Sequence, residues 1–299
     1  MTLPLPLSYA ERLLRGEPLA KYTAARLGGP ADWLYVARQS NDELCEIVQA
    51  AWAADVPVRV LGGGSNVLVS DKGVRGLVIV DGVKQLVFDG PTVTASAGYG
   101  LITLARKCAL QGLAGLEWAA SVPGTVGGAV VNNAGAHGGD MAGVARQVEL
   151  IDAALGRQTL TPDDLAYGYR TSSLKARLDR RFLVLSADFS LKPGNSVEVL
   201  AQMDANIAHR KHTQPPGASL GSIFKNPPRD YAGRLIEACG LKGHTIGEAQ
   251  VSPVHANFFI NRGRATATDY YRLIQHVREV VQRETGVPLE PEVEIVGEW

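Results

Sequence analysis

The spacing of apolar residues changes repeatedly along the chain, between a period of about 3.6 that is typical of helices and the alternation typical of strands. Helical spacing predicts an amphipathic helix over residues 42–54, with Asn41 as its N-cap. The predicted buried face of this helix consists of Leu44, Ile47, Val48 and Ala51. The same spacing predicts further helices over residues 7–16, 100–112, 195–211, 230–239 and 267–285. We expect Gly112 to be the C-cap of the helix over 100–112, and Gly286 to end the last one.

Short apolar runs separated by glycine and aspartate turns predict the strands. Residues 57–80 have the pattern strand, glycine turn, strand, turn, strand, and residues 83–97 predict two strands around Asp89 and Gly90. Further strands are predicted at 146–152, 182–191, around 246–260 and at 289–296. Because no regular βαβ series or repeat occurs, the predicted fold class is α+β.

The segment Lys192-Pro193-Gly194 marks the main predicted domain boundary, because proline and glycine interrupt regular structure there. A second boundary is placed where the first group of strands ends. The predicted domains are residues 1–82, 83–192 and 193–299.

Composition narrows the function classes. The chain has 299 residues, of which 45% are hydrophobic and 20% charged, as in soluble globular proteins with a packed core. The formal net charge is zero, so nothing in the composition argues for nucleic acid or an anionic membrane as partner, because phosphate binding needs a concentrated basic face. No stretch of 18 apolar residues and no secretory signal is recognised, so we expect a cytoplasmic protein.

The three cysteines and the histidines suggest neither a disulfide framework nor a metal site. Cys45, Cys108 and Cys239 are far apart in sequence, and no Cys-x-x-Cys pair occurs. We expect free thiols in a reducing compartment. No metal ligand set is predicted.

The segment LGGGSNVLVSD at residues 61–71 places three glycines between two apolar strands. Successive N–H groups in such a turn can form an anion-binding concavity, which would suit a pyrophosphate. A tight turn with no ligand is the alternative, and the sequence leaves both open. The segment is neither a Walker loop nor a dinucleotide-binding glycine motif, because a strand follows it.

A second glycine-rich segment, SVPGTVGGAVVNNAGAHGG at residues 121–139, repeats this composition. Two such concavities suit an extended dinucleotide such as FAD better than a mononucleotide.

These two segments, together with SLGSIFKNP at 219–227, resemble the UDP-N-acetylenolpyruvoylglucosamine reductases over roughly residues 21–297. The resemblance implies an FAD-binding fold of the vanillyl-alcohol oxidase type in two subdomains, followed by an α+β substrate-binding domain. It also implies reduction of UDP-N-acetylglucosamine enolpyruvate to UDP-N-acetylmuramate, a peptidoglycan precursor, with NADPH as reductant. Many proteins with this fold tether the flavin through a histidine in the first loop. Gly64, Ser65 and Asn66 stand there in this chain, so we expect non-covalent FAD.

The resemblance implies a set of cofactor-binding residues in the two glycine-rich segments and in the motif KYTAARLGGPAD. These are Arg26, Gly62, Gly63, Gly64, Ser65, Asn66, Ser121, Gly124, Thr125, Gly128, Asn132 and Gly135. We expect His137 to be a neighbour of the flavin pocket or a surface residue.

Three catalytic residues are implied by the resemblance. Hydride transfer from flavin N5 to the vinyl carbon builds negative charge on the enolpyruvyl carboxylate, and Arg170 of the YGYR motif would stabilise it. Ser222 would donate the proton to the adjacent carbon, and Glu292 of LEPEV, rather than Glu290, would help to stabilise the enol. The alternatives from sequence alone are an arginine in a buried ion pair, a serine in a loop and a solvent-facing glutamate.

The resemblance also implies residues that bind the sugar nucleotide. They are Tyr169, Arg210, Lys211, Lys225, Asn226 and His255. The segment after YGYR runs almost directly into a strand, so the chain resembles the shorter class that lacks a tyrosine-bearing loop. Arg177, Arg180 or Arg181 are candidates to cover the nucleotide instead.

Two other functions remain as alternatives from sequence. One is an FAD-dependent alcohol or sugar oxidase on the same scaffold, and the other is a nucleotide-binding protein without catalytic activity. The expected partner is a small sugar nucleotide, with no nucleic acid and no membrane, and the expected state is a monomer.

Overall fold

The structure is a computed structural model that describes residue 5 and residues 7–299. The chain forms two compact units, each assembled from separate stretches of sequence. Unit 1 contains the described residues up to Leu14, Trp33–Gly63 and Gly76–His209, and unit 2 contains Arg15–Asp32, Gly64–Arg75 and Arg210–Trp299. These two units reflect the compactness of the chain and do not test the division into an FAD-binding part and a substrate-binding part. The three predicted domains therefore stay a prediction.

Helices occur in both units. In the described part of the chain the α-helices are α1 (Leu7–Ala10), α2 (Asn41–Ala53), α3 (Leu101–Leu110), α4 (Val126–Asn132), α5 (Pro162–Leu165), α6 (Ser173–Ala176), α7 (Ser196–Thr213), α8 (Ala232–Ala238) and α9 (Ala267–Thr285). Within the same described residues, 3-10 helices span Leu19–Tyr22 and Glu117–Ser121. No helix in this part combines the length and apolar character that crossing a membrane requires.

The strands are mostly short. They are β1 (Leu14–Pro18), β2 (Pro30–Ala37), β3 (Val58–Leu61), β4 (Val67–Val69), β5 (Val74–Asp81), β6 (Leu86–Asp89), β7 (Thr92–Ser96), β8 (Leu113–Ala114), β9 (Gly135–Ala136), β10 (Gly139–Asp140), β11 (Ala145–Asp152), β12 (Gly156–Leu160), β13 (Phe182–Ser190), β14 (Lys192–Pro193), β15 (Thr245–Ile246), β16 (Ala249–Val251), β17 (Phe259–Asn261) and β18 (Glu294–Val296).

Unit 1 contains an antiparallel sheet of five strands in the order β12-β11-β13-β7-β6. Its core includes side chains of α3, α4 and β13, among them the fully buried Leu104, Val130 and Phe189. A second core of unit 1 contains α2, and in that unit β3 and β5 pair in parallel from Val58 with Leu77 to Leu61 with Val80. All four residues of the predicted buried face of α2 are fully buried, which confirms that face.

Unit 2 contains α9 and the antiparallel sheet β15-β16-β17. The apolar face of α9 is buried in this core, and the Tyr270 hydroxyl donates to the Phe259 carbonyl over 2.8 Å. Within the same unit β18 pairs in parallel with β4, from Glu294 with Val67 to Val296 with Val69. This pairing attaches the strand that directly follows LEPEV to the strand inside the first glycine-rich segment.

Four predicted elements differ from the structure. The helix predicted over 7–16 ends at Ala10, because the chain enters β1 at Leu14 and Gly16 has a left-handed φ of 63°. Of the strand predicted over 289–296, only β18 is a regular strand. The residues before β18 form isolated backbone hydrogen bonds with residues 223 and 225 instead of a continuous ladder.

The two other differences concern helix ends. Ser40, not Asn41, caps α2, because its Oγ accepts a hydrogen bond from the Glu43 N–H over 3.1 Å. Gln111 is the C-cap of α3, and Gly112 follows it with a φ of 68°. Gly286 ends α9 with a φ of 71°, as predicted.

Asp81 at the end of β5 gives a first testable prediction. It is 5% exposed, its Oδ1 accepts a hydrogen bond from the Val83 N–H, and burial raises its pKa from 3.8 to about 6. The carboxylate therefore destabilises the fold at neutral pH, and this effect disappears as pH falls through 6 towards 4. We expect Asp81→Asn to raise the free energy of unfolding at pH 7.5 by about 1–3 kcal/mol, since one pKa unit is worth about 1.4 kcal/mol. Urea denaturation at pH 7.5 and pH 4.5 would measure this, with a much smaller gain at the lower pH.

Asp152 provides a matched control of opposite sign. It is equally buried, and although burial opposes its ionisation, hydrogen bonds from Arg177 and from the Ala154 and Leu155 N–H groups lower its pKa. Its stabilising effect is present above the unfolded-state pKa and is lost as pH falls through the lowered folded-state pKa. Asp152→Asn should therefore destabilise at pH 7.5. The same sign for both variants would contradict the explanation.

Candidate active site

The two glycine-rich segments pack against each other in unit 1. A Cβ atom on Gly63 would lie 2.8 Å from the Gly124 Cα, and one on Gly62 would lie 2.1 Å from the Thr125 Oγ1. Neither position admits a side chain, whatever ligand is bound. Packing within the protein is therefore sufficient to explain why both residues are glycine.

Other positions of the second segment are open or lack a protein partner. A Cβ on Gly128, which is exposed in α4, would meet only the Thr125 Oγ1, at 3.8 Å. The Ser121 Oγ and, just before the segment, the Trp118 Nε1 are buried, and no hydrogen-bond partner for either lies among residues 7–299. The Asn132 Nδ2 donates to the Gly128 carbonyl over 2.9 Å, and Gly135 is required by contact with Asp140 in the β9–β10 hairpin. Polar groups without a partner and an open glycine suit a bound polar ligand at this segment.

Arg170 lies in a tight turn of unit 1. Gly168 and Thr171 exchange two backbone hydrogen bonds of 3.1 and 3.2 Å, and between them Arg170 has a left-handed φ of 55°. Its guanidinium carbon lies 5.7 Å from the ring centroid of Tyr169, which is 57% exposed. A non-glycine residue in this conformation is strained, and such strain concentrates at functional sites.

Asn133 connects the second glycine-rich segment to this turn, and it was not predicted as a site residue. It is 4% exposed, its Nδ2 donates to the Gly168 carbonyl over 2.9 Å, and its Oδ1 accepts from the Ala142 N–H over 3.0 Å. Its φ of 43° ends α4. An asparagine before Ala-Gly at a helix end is the signal that could have identified it. His137 of the same segment lies with its ring 5.7 Å from that of His209.

The turn that carries Arg26 adjoins Gly64 in unit 2. The Ala24 N–H donates to the Gly64 carbonyl over 2.9 Å, and a Cβ on Gly64 would lie 2.0 Å from the Tyr22 carbonyl oxygen. Arg26 is exposed, with a left-handed φ of 57°. The first glycine-rich segment is thus divided, with Gly62 and Gly63 in unit 1 and the residues from Gly64 onwards in unit 2.

Within unit 2 the segments of Asn66, Ser222 and Glu292 are adjacent. The Glu292 N–H donates to the Ile223 carbonyl over 2.8 Å, and the Asn66 Nδ2 donates to the Glu292 carbonyl over 3.1 Å. The Glu294 N–H donates to the Asn66 carbonyl over 2.9 Å. Ser222 and Glu292 are both half-buried. The structure therefore brings two predicted catalytic residues onto neighbouring segments, while Arg170 belongs to unit 1.

Two of the predicted substrate-binding residues, Lys225 and Asn226, already bond to other residues of the protein. The Lys225 Nζ lies 2.6 Å from the Oε1 of Glu290. Glu290 is exposed and Glu292 is half-buried, so the two glutamates of LEPEV differ in environment. The Asn226 Oδ1 accepts from the Ala232 N–H over 3.1 Å at the start of α8, which gives this side chain a structural role as well.

His255 and Arg210 are half-buried basic groups. The Nδ1 of His255 accepts a hydrogen bond from the Asn257 N–H over 3.2 Å, so the neutral ring carries its proton on Nε2. Burial lowers the pKa of His255 and also that of Arg210, for which no carboxylate partner lies among residues 7–299. Lys211 is exposed.

The arginines considered as a cover for the nucleotide have protein partners. Arg177 pairs with Asp152, and the Arg181 Nη2 donates to the Trp52 carbonyl over 3.1 Å.

Two family models match the chain. Residues 212–296 match the family model of the C-terminal domain of UDP-N-acetylenolpyruvoylglucosamine reductase, and residues 34–159 match that of an FAD binding domain. The UDP-N-acetylenolpyruvoylglucosamine reductase 2 of Symbiobacterium thermophilum is 44% identical over 291 residues, which cover 96% of this chain and 92% of the relative. The corresponding reductase of Rubrobacter xylanophilus is 45% identical over 285 residues, 94% of each chain.

A solved structure gives the same result. The crystal structure of UDP-N-acetylenolpyruvylglucosamine reductase from Thermus caldophilus superposes with a TM-score of 0.80 at 36% identity, covering 95% of this chain and 98% of that chain. The predicted fold class, α+β with an FAD-binding fold followed by a C-terminal domain, is confirmed. With nearly its whole length matched at such identity, the chain belongs to the UDP-N-acetylenolpyruvoylglucosamine reductase family.

Proposed function

We propose that the protein reduces UDP-N-acetylglucosamine enolpyruvate to UDP-N-acetylmuramate with FAD as cofactor and NADPH as reductant, in the synthesis of peptidoglycan precursors. The observation that carries the proposal is the hydrogen-bonded group of unit 2. It joins the Ser222 segment, the Glu292 segment and Asn66 of the first glycine-rich segment. A proton donor and a carboxylate thereby lie next to a segment proposed to bind the cofactor.

The residues of the glycine-rich segments suit FAD. The buried Ser121 Oγ lacks a protein partner within residues 7–299, and the open backbone at Gly128 permits close approach of a phosphate or ring. The residues proposed to hold FAD are Arg26, Gly62, Gly63, Gly64, Ser65, Asn66, Ser121, Gly124, Thr125, Gly128, Asn132 and Gly135. When bound, FAD supplies the hydride that is transferred to the vinyl carbon of the substrate. Non-covalent binding is proposed because no histidine stands at residues 64–66.

Arg170 binds the enolpyruvyl carboxylate in this proposal. Addition of hydride to the terminal carbon pushes electron density towards that carboxylate, and the planar guanidinium can donate two parallel hydrogen bonds to it. The left-handed turn and the bond from Asn133 to the Gly168 carbonyl fix the backbone that carries Arg170 before substrate arrives. A donor that is already oriented stabilises the developing charge without reorganisation cost.

Ser222 donates the proton that completes the reduction. The carbon next to the carboxylate becomes strongly basic after hydride addition, so even a serine hydroxyl can protonate it. Glu292 assists by stabilising the enolic form. Both residues are half-buried, which limits competition from water.

The sugar nucleotide is held by basic and polar groups. Arg210 is a partly buried cation for which no carboxylate partner lies in the described part of the chain, and such a group suits a diphosphate. The other proposed substrate residues are Tyr169, Lys211, Lys225, Asn226 and His255. Because the Lys225 ammonium already pairs with the Glu290 carboxylate, a diphosphate that binds Lys225 must either displace Glu290 or share the ammonium with it. A cytoplasmic monomer with FAD-binding subdomains 1–82 and 83–192 and a substrate domain 193–299 completes the proposal.

Two glycine variants distinguish protein packing from cofactor contact. In Gly128→Ala the added methyl has open space in a helix, so we expect the FAD-free protein to gain about 0.5–1 kcal/mol of stability. Overpacking against FAD costs ~1–3 kcal/mol, and FAD binding should therefore weaken by about ten- to a hundredfold. In Gly62→Ala the clash with Thr125 is within the protein, so the FAD-free protein itself should lose stability. Thermal unfolding without FAD and titration with FAD measure both effects, and unchanged FAD affinity in Gly128→Ala would remove Gly128 from the cofactor site.

The function is tested by anaerobic stopped-flow absorbance at the flavin band. NADPH should bleach the FAD-loaded protein, and UDP-N-acetylglucosamine enolpyruvate should restore the band. Recovery only with oxygen would favour an oxidase on this scaffold. Absence of a flavin band after addition of FAD would leave the glycine-rich segments with their structural role alone.

A further inference from the structure

We propose that Asn257 is a positioning residue for Ser222, an inference that rests on the proposed function and assigns a role to a side chain outside the predicted site. Asn257 is 3% exposed in unit 2. Its Nδ2 donates to the Phe224 carbonyl over 2.8 Å, and its Oδ1 accepts from the Phe224 N–H over 3.0 Å. The amide therefore binds both polar groups of one residue, as a neighbouring strand would.

The backbone of Asn257 adds a third bond to the same segment. The Ile223 N–H donates to the Asn257 carbonyl over 2.9 Å, and Ser222 forms an isolated antiparallel bridge with Phe258. On the other side, the Ile223 carbonyl accepts from the Glu292 N–H and the Lys225 N–H donates to the Glu290 carbonyl. The segment after Ser222 is thus fixed between two others, and Asn257 supplies three of its bonds.

Ser222 depends on these bonds for its position. Its hydroxyl has no hydrogen-bond partner among residues 7–299, so no side chain orients it. The residue before it, Gly221, has a left-handed φ of 75° and no atom within 4 Å of a Cβ position, so nothing packs against that side. The placement of the hydroxyl is therefore set by the backbone that follows, at Ile223 and Phe224.

The chemistry of the amide explains why asparagine is required. Phe224 presents one donor and one acceptor in a buried site, and only a side chain with both functions satisfies them together. If either bond is lost, the segment can shift by a fraction of an ångström. Displacement of a reacting group by about 1 Å can cost about a hundredfold in rate, even when the altered residue does not touch the substrate.

Asn257→Asp tests this role through its pH dependence. An ionised aspartate can accept from the Phe224 N–H but cannot donate to the carbonyl, whereas a protonated one can do both. With FAD saturating, we expect reduction by NADPH at the wild-type rate, and reoxidation by UDP-N-acetylglucosamine enolpyruvate slowed ~10–100-fold at pH 8. The reoxidation rate should recover towards wild type as pH falls to 6, because burial raises the pKa of an aspartate. The titratable groups on the neighbouring segments are His255, Lys225, Glu290 and Glu292. Because the wild-type protein contains the same groups, its reoxidation rate at each pH is the reference.

Two further variants complete the experiment. Asn257→Ser is too short to make either bond, so it should slow reoxidation at every pH and show no recovery on acidification. Asn206→Asp is the matched control. Its wild-type side chain is also buried and donates to a backbone carbonyl, that of Glu117, over 2.9 Å, but in unit 1. This control should lower the thermal midpoint without changing the ratio of the two half-reaction rates.

The outcomes separate the two proposals. An equal fall in both half-reactions of Asn257→Asp, or no fall in either, would overturn the positioning role while wild type still turns over the substrate. A pH-dependent and selective slowing, with a larger solvent isotope effect on reoxidation than in wild type, would support it. If reduced wild type is not reoxidised by the enolpyruvyl substrate, the proposed function fails, and with it the role of Asn257.

Discussion

Ser222→Ala is expected to leave the reduction of FAD by NADPH at the wild-type rate and to slow reoxidation by UDP-N-acetylglucosamine enolpyruvate by ~10²–10⁴-fold, the usual contribution of a general acid. The methyl group that remains cannot donate a proton. The substitution removes only an oxygen that has no hydrogen-bond partner in the described part of the chain, so the free energy of unfolding should change little. Anaerobic stopped-flow traces of the two half-reactions measure the effect directly.

Ser219→Ala is the matched control for this variant. Ser219 lies three residues earlier in the same motif and is also half-buried, but it has no proposed role. It should behave as wild type in both half-reactions. If Ser222→Ala slows both half-reactions equally, Ser222 has a structural role, and the proton must come from elsewhere.

Arg170→Lys is expected to lower kcat/KM for the enolpyruvyl substrate by ~10²–10³-fold, the range found when one donor to a developing oxyanion is lost. A lysine keeps the positive charge but replaces the two parallel N–H groups by a flexible point charge. Both residues carry the same backbone strain at a φ of 55°, so the folded state should be equally stable. Steady-state kinetics with both substrates, together with the rate of FAD reduction by NADPH, test the prediction.

Arg106→Lys serves as control, because Arg106 is an exposed residue of α3 in the same unit. It should leave kcat/KM unchanged. A wild-type kcat/KM in Arg170→Lys would mean that charge alone is sufficient at this position, and that bidentate recognition of the carboxylate is not used.

Elements with a long and regular pattern could be predicted from the sequence. For α9 the apolar spacing, the capping Thr266 and the terminal Gly286 all agree, and its predicted limits equal the observed ones. The N-terminal helix was predicted too long, because the pairing of β1 in a sheet is a tertiary effect that outweighs a short local helical pattern.

Site residues in local motifs could be predicted from the sequence, whereas contacts between distant residues could not. Motif residues such as Arg170 and Ser222 could be named because they lie in recognisable strings, although their roles stay a prediction. The long-range contacts of Asn133 and Asn257 could not be predicted, because their side chains bond to residues 35 and 33 positions away. The bond from Asn66 to Glu292 spans 226 positions, and no local pattern reports such a distance.

The route of the chain between the two units has a consequence for recombination with relatives. Within residues 7–299 the backbone passes between the units five times, after Leu14, Asp32, Gly63, Arg75 and His209. A chimera with one crossover at 209 would keep unit 1 from one parent but build unit 2 from both. Its β4 and β18 would then come from different parents, as would Asn66 and Glu292. Only an exchange that transfers residues 15–32, 64–75 and 210–299 together would inherit unit 2 intact.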